Sequence, residues 1–142
     1  MLSNRSIPNT TVIPVLAYPD VAEAVEWLCR AFGFAERLRI GDHRAQLMVG
    51  EGAVVAAEGD PVADTLPRGG STMVRVDDVD AHHARAVEHG ARILQPPADH
   101  AYGERQYTAL DHAGHAWTFT QSIADVDPAE WGGVLSPNAA SA

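Results

Sequence analysis

Apolar residues recur at helical spacing twice along this chain, and each time one short apolar run precedes them and three follow. Thr11–Ala17 (TVIPVLA) is a β-branched run that predicts a strand. Pro14 within it marks an edge or irregular strand. Asp20 then caps a helix whose Val21, Ala24, Val25, Leu28, Ala31 and Phe32 share one face, and Gly33 stops it. Leu38–Ile40, Ala45–Val49 and Ala53–Glu58 predict three more strands, separated by GDH and GEG turns. The stretch DPVADTLPRGG is the one linker-like segment in mid-chain, and after it the pattern restarts. Thr72–Val76 predicts a strand. Asp78 or Asp80 caps a helix running through Val87 to a stop at Gly90. Arg92–Leu94, Arg105–Leu110 and Ala116–Gln121 predict three strands, with DHAG turning between the last two.

Both halves therefore share the order strand, helix, strand, strand, strand. Their helix starts match at one constant offset (Asp20 with Asp78, Val21 with Val79, Leu28 with Ala86), and the last hairpins at a slightly larger one (Gly52 with Gly114). Such self-similarity constrains the fold strongly. The expectation is an α+β protein of two βαβββ modules forming a curved mixed sheet around a cleft. The modules span residues 11–59 and 71–121, with an extension at 1–10, a linker at 60–70 and a tail at 122–142.

Composition narrows the function. The 142 residues are 46% hydrophobic and 20% charged, in the range of globular domains. The formal charge is −9, the wrong sign for a phosphate backbone or an anionic membrane surface. Neither nucleic acid nor membrane is an expected partner; a neutral or cationic small molecule is better matched. All ten basic residues are arginine, which excludes a lysine Schiff base and a P-loop lysine. The single Cys29 excludes an internal disulfide and any CxxC site, and its apolar setting predicts a core thiol. No signal-peptide core or long apolar run is visible, so the expected location is the cytoplasm.

The segments IPVLAYPDVAEAVEWLCRAFGF (13–34), VRVDDVDAHHARAVEHGA (74–91), YGERQYTALDHAGHAWTF (102–119) and DPAEWG (127–132) make the chain resemble the vicinal-oxygen-chelate superfamily. That superfamily includes glyoxalase I, extradiol dioxygenases and bleomycin resistance proteins; the likeness is nearest its PhnB-like bacterial branch. The resemblance implies two βαβββ modules and a homodimer. It also implies four metal-ligand positions, one on the first and one on the last strand of each module, normally filled by His, Gln or Glu. Counted from Asp20 and Asp77, the first-strand positions fall on Ile13 and Ser71. Counted from the turn glycines Gly52 and Gly114, the last-strand positions fall on Ala56 and Thr118. None suits a divalent ion, so no metal and no other cofactor is expected.

Strand alternation extends the cleft lining. With Ser71 and Thr118 come Met73, Arg75, Ala116 and Thr120; with Ile13 come Val15, Val54, Ala56 and Glu58. Tyr107 is expected across the hairpin from Thr118. Tyr102 and His100 lie in PPADHAYGER, read as a long loop that either covers the mouth or is simply mobile. Arg75 either clamps a carboxylate or pairs with an acid. Glu58 is a general base if buried and a solvated strand end otherwise. The candidate ligand-binding residues are thus Ile13, Glu58, Ser71 and Met73, together with Arg75, Tyr102, Tyr107 and Thr118. His112 and His115 are read as turn residues, His82 and His89 as an outward helix face, and His83 as a core histidine. A substitute metal site of His100, His112 and His115 stays open. Trp27 and Trp117 are read as core, Trp131 as a tail anchor. The resemblance points to a metal-free small-molecule binder, with antibiotic sequestration as its natural role. The alternative is a glyoxalase- or dioxygenase-like lyase or isomerase using a displaced metal or acid/base residues; whether the protein is an enzyme stays open, leaning against.

Overall fold

The computed structural model describes residues 2–60 and 71–137, so most of the expected linker lies outside the described residues. The first module runs β1 (Val15–Tyr18), α1 (Val21–Phe32), β2 (Ala35–Ile40), β3 (Arg44–Val49) and β4 (Gly52–Glu58). The second runs β5 (Thr72–Arg75), α2 (Val79–Glu88), β6 (Arg92–His100), β7 (Glu104–Leu110) and β8 (Ala116–Ser122), followed by a 3-10 turn at Pro128–Trp131. The α+β expectation and the doubled βαβββ order both hold.

The helix boundaries follow their caps. The Asp20 side chain accepts from Glu23 N at 3.0 Å, and Gly33, at φ 76°, turns its N–H onto Cys29 O. Asp78, not Asp80, caps α2, accepting from Ala81 N at 3.0 Å. Six residues of α1 are buried but only Val79 and Ala86 of α2, where His82 and His83 are partly buried as well.

Each module forms its own four-stranded sheet, in the orders β1-β4-β3-β2 and β5-β8-β7-β6. The first strand pairs parallel with the fourth; the other pairings are antiparallel. One face of each sheet is spent on a shared core. Ala45, Leu47, Val54 and Ala56 supply it from the first sheet, and Tyr107, Ala109, Trp117 and Phe119 from the second. Phe32 and Phe34, at the end of α1, join the halves: Phe32 meets Phe119 edge-on at 4.8 Å and Phe34 meets Trp117 at 5.2 Å. Burying each such ring stabilises the fold by about 1.5–3 kcal/mol.

Two expectations change. Val54 and Ala56 face this core, not a cleft, and the outer position of β4 is Val55. The cause is turn length. The β3–β4 hairpin is tight, with Gly52 already paired to Val49, whereas Gly114 sits inside the longer turn between Leu110 and Ala116. Matching the two glycines therefore shifts the strands by one residue, and one residue reverses every side chain. Second, PPADHAYGER is not a long loop. β6 continues to His100 with irregular register around Gln95–Ala98. It is an edge strand, and Pro96 and Pro97, which lack N–H groups, fall in the irregular register between Gln95 and Ala98, where neither has a ladder partner. Among the described residues no helix is long and apolar enough to cross a membrane.

Candidate functional site

The outer face of the second sheet is polar along both of its central strands. Thr108 and Thr118 pair directly across β7 and β8, and Gln106 pairs with Thr120. Their side chains alternate with Tyr107, Trp117 and Phe119, which the core claims. Thr118 Oγ1 lies 2.9 Å from Ser71 Oγ and 2.9 Å from Thr108 Oγ1, so three hydroxyls form one row. In the next row Gln106 Nε2 donates to Thr120 Oγ1 at 3.0 Å, and Thr120 donates to Glu104 Oε1 at 2.7 Å. Tyr102 extends it, its hydroxyl donating to Gln106 Oε1 at 3.0 Å.

Arg75 ends the network. It donates to Ser122 Oγ, and its guanidinium lies 3.7 Å from Glu104. Burial pushes the Glu104 carboxyl up, but hydrogen bonds from Ser122 and Thr120 and the Arg75 charge outweigh it and hold the group below its ordinary value. Of the two readings of Arg75, the geometry shows pairing with an acid. Met73, between them on β5, is 60% exposed. Beside it a groove of about 670 Å³ runs between the modules, lined by Val12, Pro14, Ala53, Met73, Arg75 and Asp77 among others.

The structure thus brings Ser71, Met73, Arg75, Tyr102 and Thr118 to one face. Three expected residues stand elsewhere. Tyr107 is buried on the core side opposite Phe119, and its hydroxyl meets His82 Nδ1 at 2.5 Å. Thr108 holds the position expected for it. Glu58 ends β4 exposed, on the alternation that Ala56 follows into the core. Ile13 precedes β1 on the first module's outer side, in phase with Val15. Gln106 and Thr108 were missed because Tyr107 was placed opposite Thr118; the polar alternation QYTAL against TFT carries the signal.

With the register corrected, the four positions that the resemblance assigns to metal ligands would read Ile13, Val55, Ser71 and Thr118. Two alkyl groups and two hydroxyls do not fit a divalent ion. Among the described residues no group of three His, Cys, Asp or Glu side chains is placed to hold one. His100 stacks on Tyr102 at the β6–β7 turn, while His112 and His115 pack on Tyr18 at the opposite end of β7. His115 Nε2 lies 2.7 Å from Ala17 O and so ties the modules together. His82 is not on an outward face. It lies tilted against Phe119 at 4.1 Å and reaches Phe32 O through Nε2 at 2.9 Å, while His83 lies edge-on to Tyr107. Trp27 is partly buried and donates to His89 O at 3.0 Å; Trp131 packs edge-on against Tyr102.

Known proteins agree with this geometry. TioX from Micromonospora sp. ML1 is 37% identical, with a TM-score of 0.66, covering 83% of this chain and 100% of that one. A glyoxalase/bleomycin resistance protein/dioxygenase from Alicyclobacillus acidocaldarius shares the fold at 14% identity and a TM-score of 0.68, covering 83% and 95%. An uncharacterized protein of Mycobacterium tuberculosis H37Rv is 28% identical over 131 residues, 80% of this chain and 75% of its own. The profile of the Glyoxalase/Bleomycin resistance protein/Dioxygenase superfamily matches residues 9–119. Doubled βαβββ modules, the corrected register and these likenesses converge: the chain belongs to the Glyoxalase/Bleomycin resistance protein/Dioxygenase superfamily.

Proposed function

We propose that this protein binds a small molecule without a metal and sequesters it rather than transforming it. The observation that carries this reading is the Ser71–Thr118–Thr108 hydroxyl row, which stands where a metal-dependent relative needs ligands. Hydroxyls and the Gln106 carboxamide offer neutral donors and acceptors beside the apolar wall of Met73, Val12 and Pro14. Such a surface holds a compound by shape and a few polar contacts. Thr120 donates to the Glu104 carboxylate, but it is buried and also accepts from Gln106 Nε2, so this hydroxyl–carboxylate pair is engaged within the sheet rather than presented to a substrate. The superfamily's bleomycin resistance members make an antibiotic the compound class to test first. The reading includes a homodimer, which would cover the open outer face of the second sheet, and a cytoplasmic location, which suits a chain with one thiol.

Thermal unfolding with bleomycin and a panel of other antibiotics tests it. At a hundredfold excess over Kd a bound ligand adds about 2.7 kcal/mol, an upward Tm shift of several degrees. Metal analysis of protein purified without a nickel column should find under about 0.1 ion per chain. Stoichiometric metal, or a panel that leaves Tm unmoved, overturns the proposal.

A further inference from the structure

A second cavity, of about 280 Å³, lies between the modules at the end of α1 and adjoins the groove beside Met73. Phe32 and Phe34 wall it from the first module, Val74, Val76 and His82 from the second. Both phenylalanines belong to the shared core and both valines pack against it, so the cavity opens on the helix side of the sheets, away from the hydroxyl row.

Two opposite charges line it as well, Arg85 and Asp77. Arg85 Nε donates to Arg30 O at 2.7 Å and its Nη2 to Cys29 O at 3.3 Å, which holds the guanidinium against the last turn of α1. Nη1 lies beside Gly33, where a Cβ would stand 3.3 Å from it. Helix carbonyls carry only partial charge, and among the described residues no carboxylate lies within ion-pair distance of Arg85. Asp77 likewise has no hydrogen bond or ion pair among the described residues, since the cap of α2 is its neighbour Asp78. Arg75, which also lines the cavity, is committed to Ser122 and Glu104. His82 adds no charge at neutral pH, because burial holds its pKa below the usual 6.5. Its Nε2 donates to Phe32 O, so Nδ1 accepts from the Tyr107 hydroxyl and both ring nitrogens are used.

Asp77 precedes α2 and Arg85 lies in its second turn, so the helix alone sets the two about 9 Å apart along its axis. Between them the wall is apolar or neutral. Drug-sized ligands fill sites of about 300–1,000 Å³, so the occupant here is smaller. We infer that this cavity is a second binding site, for a small linear zwitterion with its carboxylate on Arg85, its ammonium on Asp77 and an apolar chain of several carbons between them. An ω-amino acid has this form. An α-amino acid carries both charges on one carbon and reaches a single partner at a time. The site is separate from the hydroxyl row, and it stands whatever that row binds.

Calorimetry on the full chain with 6-aminohexanoate as probe tests it. The probe should bind saturably, one per chain, while hexanoate, hexylamine and glycine each bind at least about tenfold more weakly. Asp77→Asn should bring 6-aminohexanoate down to the level of hexanoate, and Arg85→Gln down to that of hexylamine. Thr118→Val should leave its affinity unchanged. Asp77→Asn alters an exposed side chain with no bond to lose, so it keeps the test sound should Arg85→Gln loosen the end of α1. No binding of 6-aminohexanoate up to about 10 mM overturns the inference. So does equal affinity for the singly charged analogues, or affinity that Asp77→Asn leaves unchanged.

Discussion

The Tyr18 hydroxyl donates to Asp111 Oδ2 at 2.7 Å, joining the end of β1 to the β7–β8 turn across 93 residues of chain. Asp111 also accepts from Trp117 Nε1, Ala113 N and His115 N, each at 3.0 Å. A buried carboxylate with four donors is fully satisfied, which is what makes its loss costly. Burial, reinforced by Asp111, pushes the Tyr18 phenol far above its ordinary value, so it remains a donor at every working pH.

Tyr18→Phe removes one donor and should cost about 1–2 kcal/mol. Asp111→Ala leaves four donors without an acceptor, the Tyr18 and Trp117 groups among them buried, and should cost about 3 kcal/mol or more. Urea unfolding with an unchanged m-value checks both; equal, negligible losses would mean the joint contributes nothing.

His82 makes stability pH-dependent. Burial lowers its pKa from the usual 6.5, and Arg85 adds to the effect, while the Phe32 carbonyl opposes it. The unfolded chain then binds a proton more readily than the folded one. The contribution is therefore complete above about pH 6.5 and fades as pH falls through the lower folded value. The slope is bounded by about 1.4 kcal/mol per pH unit. His82→Phe keeps a ring against Phe119 and should flatten the stability profile between pH 7 and 5.

Much of the fold was legible because local signals agreed. Asp20 and Gly33 bracket α1 through chemistry that acts within one turn of helix. The errors arose where meaning depends on a partner strand. Gly52 and Gly114 look equivalent along the chain, yet one is paired in a strand and the other turns, and only the ladder reveals it. Tyr107 failed similarly, since its burial depends on His82 arriving from another element. The proline pair in β6 reads as a loop until the strand is known to be an edge. The packing of Asn4–Pro8 on the first sheet was not legible, because Arg37 and Gln46 hold it through main-chain carbonyls, which every residue carries.

The register correction has its own test. Ala56 is 1% exposed among core side chains, so Ala56→Asp buries a charge without a partner and should cost at least about 3 kcal/mol. Glu58→Ala, at the exposed strand end, should change stability by under about 0.5 kcal/mol. Chemical denaturation compares them; a tolerated Asp would return Ala56 to the outer face.

Thr118→Val keeps the shape and removes the shared partner of Ser71 and Thr108. A ligand seated on that row should bind about tenfold more weakly, the equivalent of about 1.4 kcal/mol. Thermal shift or calorimetry against the first compound found to bind measures it. Unchanged affinity would move the ligand off the row.

Gly103 stands at φ 85°, and a Cβ there would lie 2.4 Å from Ala124 O and 3.0 Å from Val126. Gly103→Ala should therefore lift the following tail off the sheet at a cost of about 2 kcal/mol or more. The tail should become protease-sensitive well below the global melting temperature.

Both inner sheet faces are spent on one shared core, so the outer face of the second sheet offers a visitor a single wall. A compound on such a wall departs as fast as its own contacts break, and its residence time is short. A second copy laid across the face would delay escape without adding affinity to the first wall. Retention would then lengthen as the protein becomes more abundant, so that a cell making more of this protein would hold each captured molecule longer as well as capturing more of them.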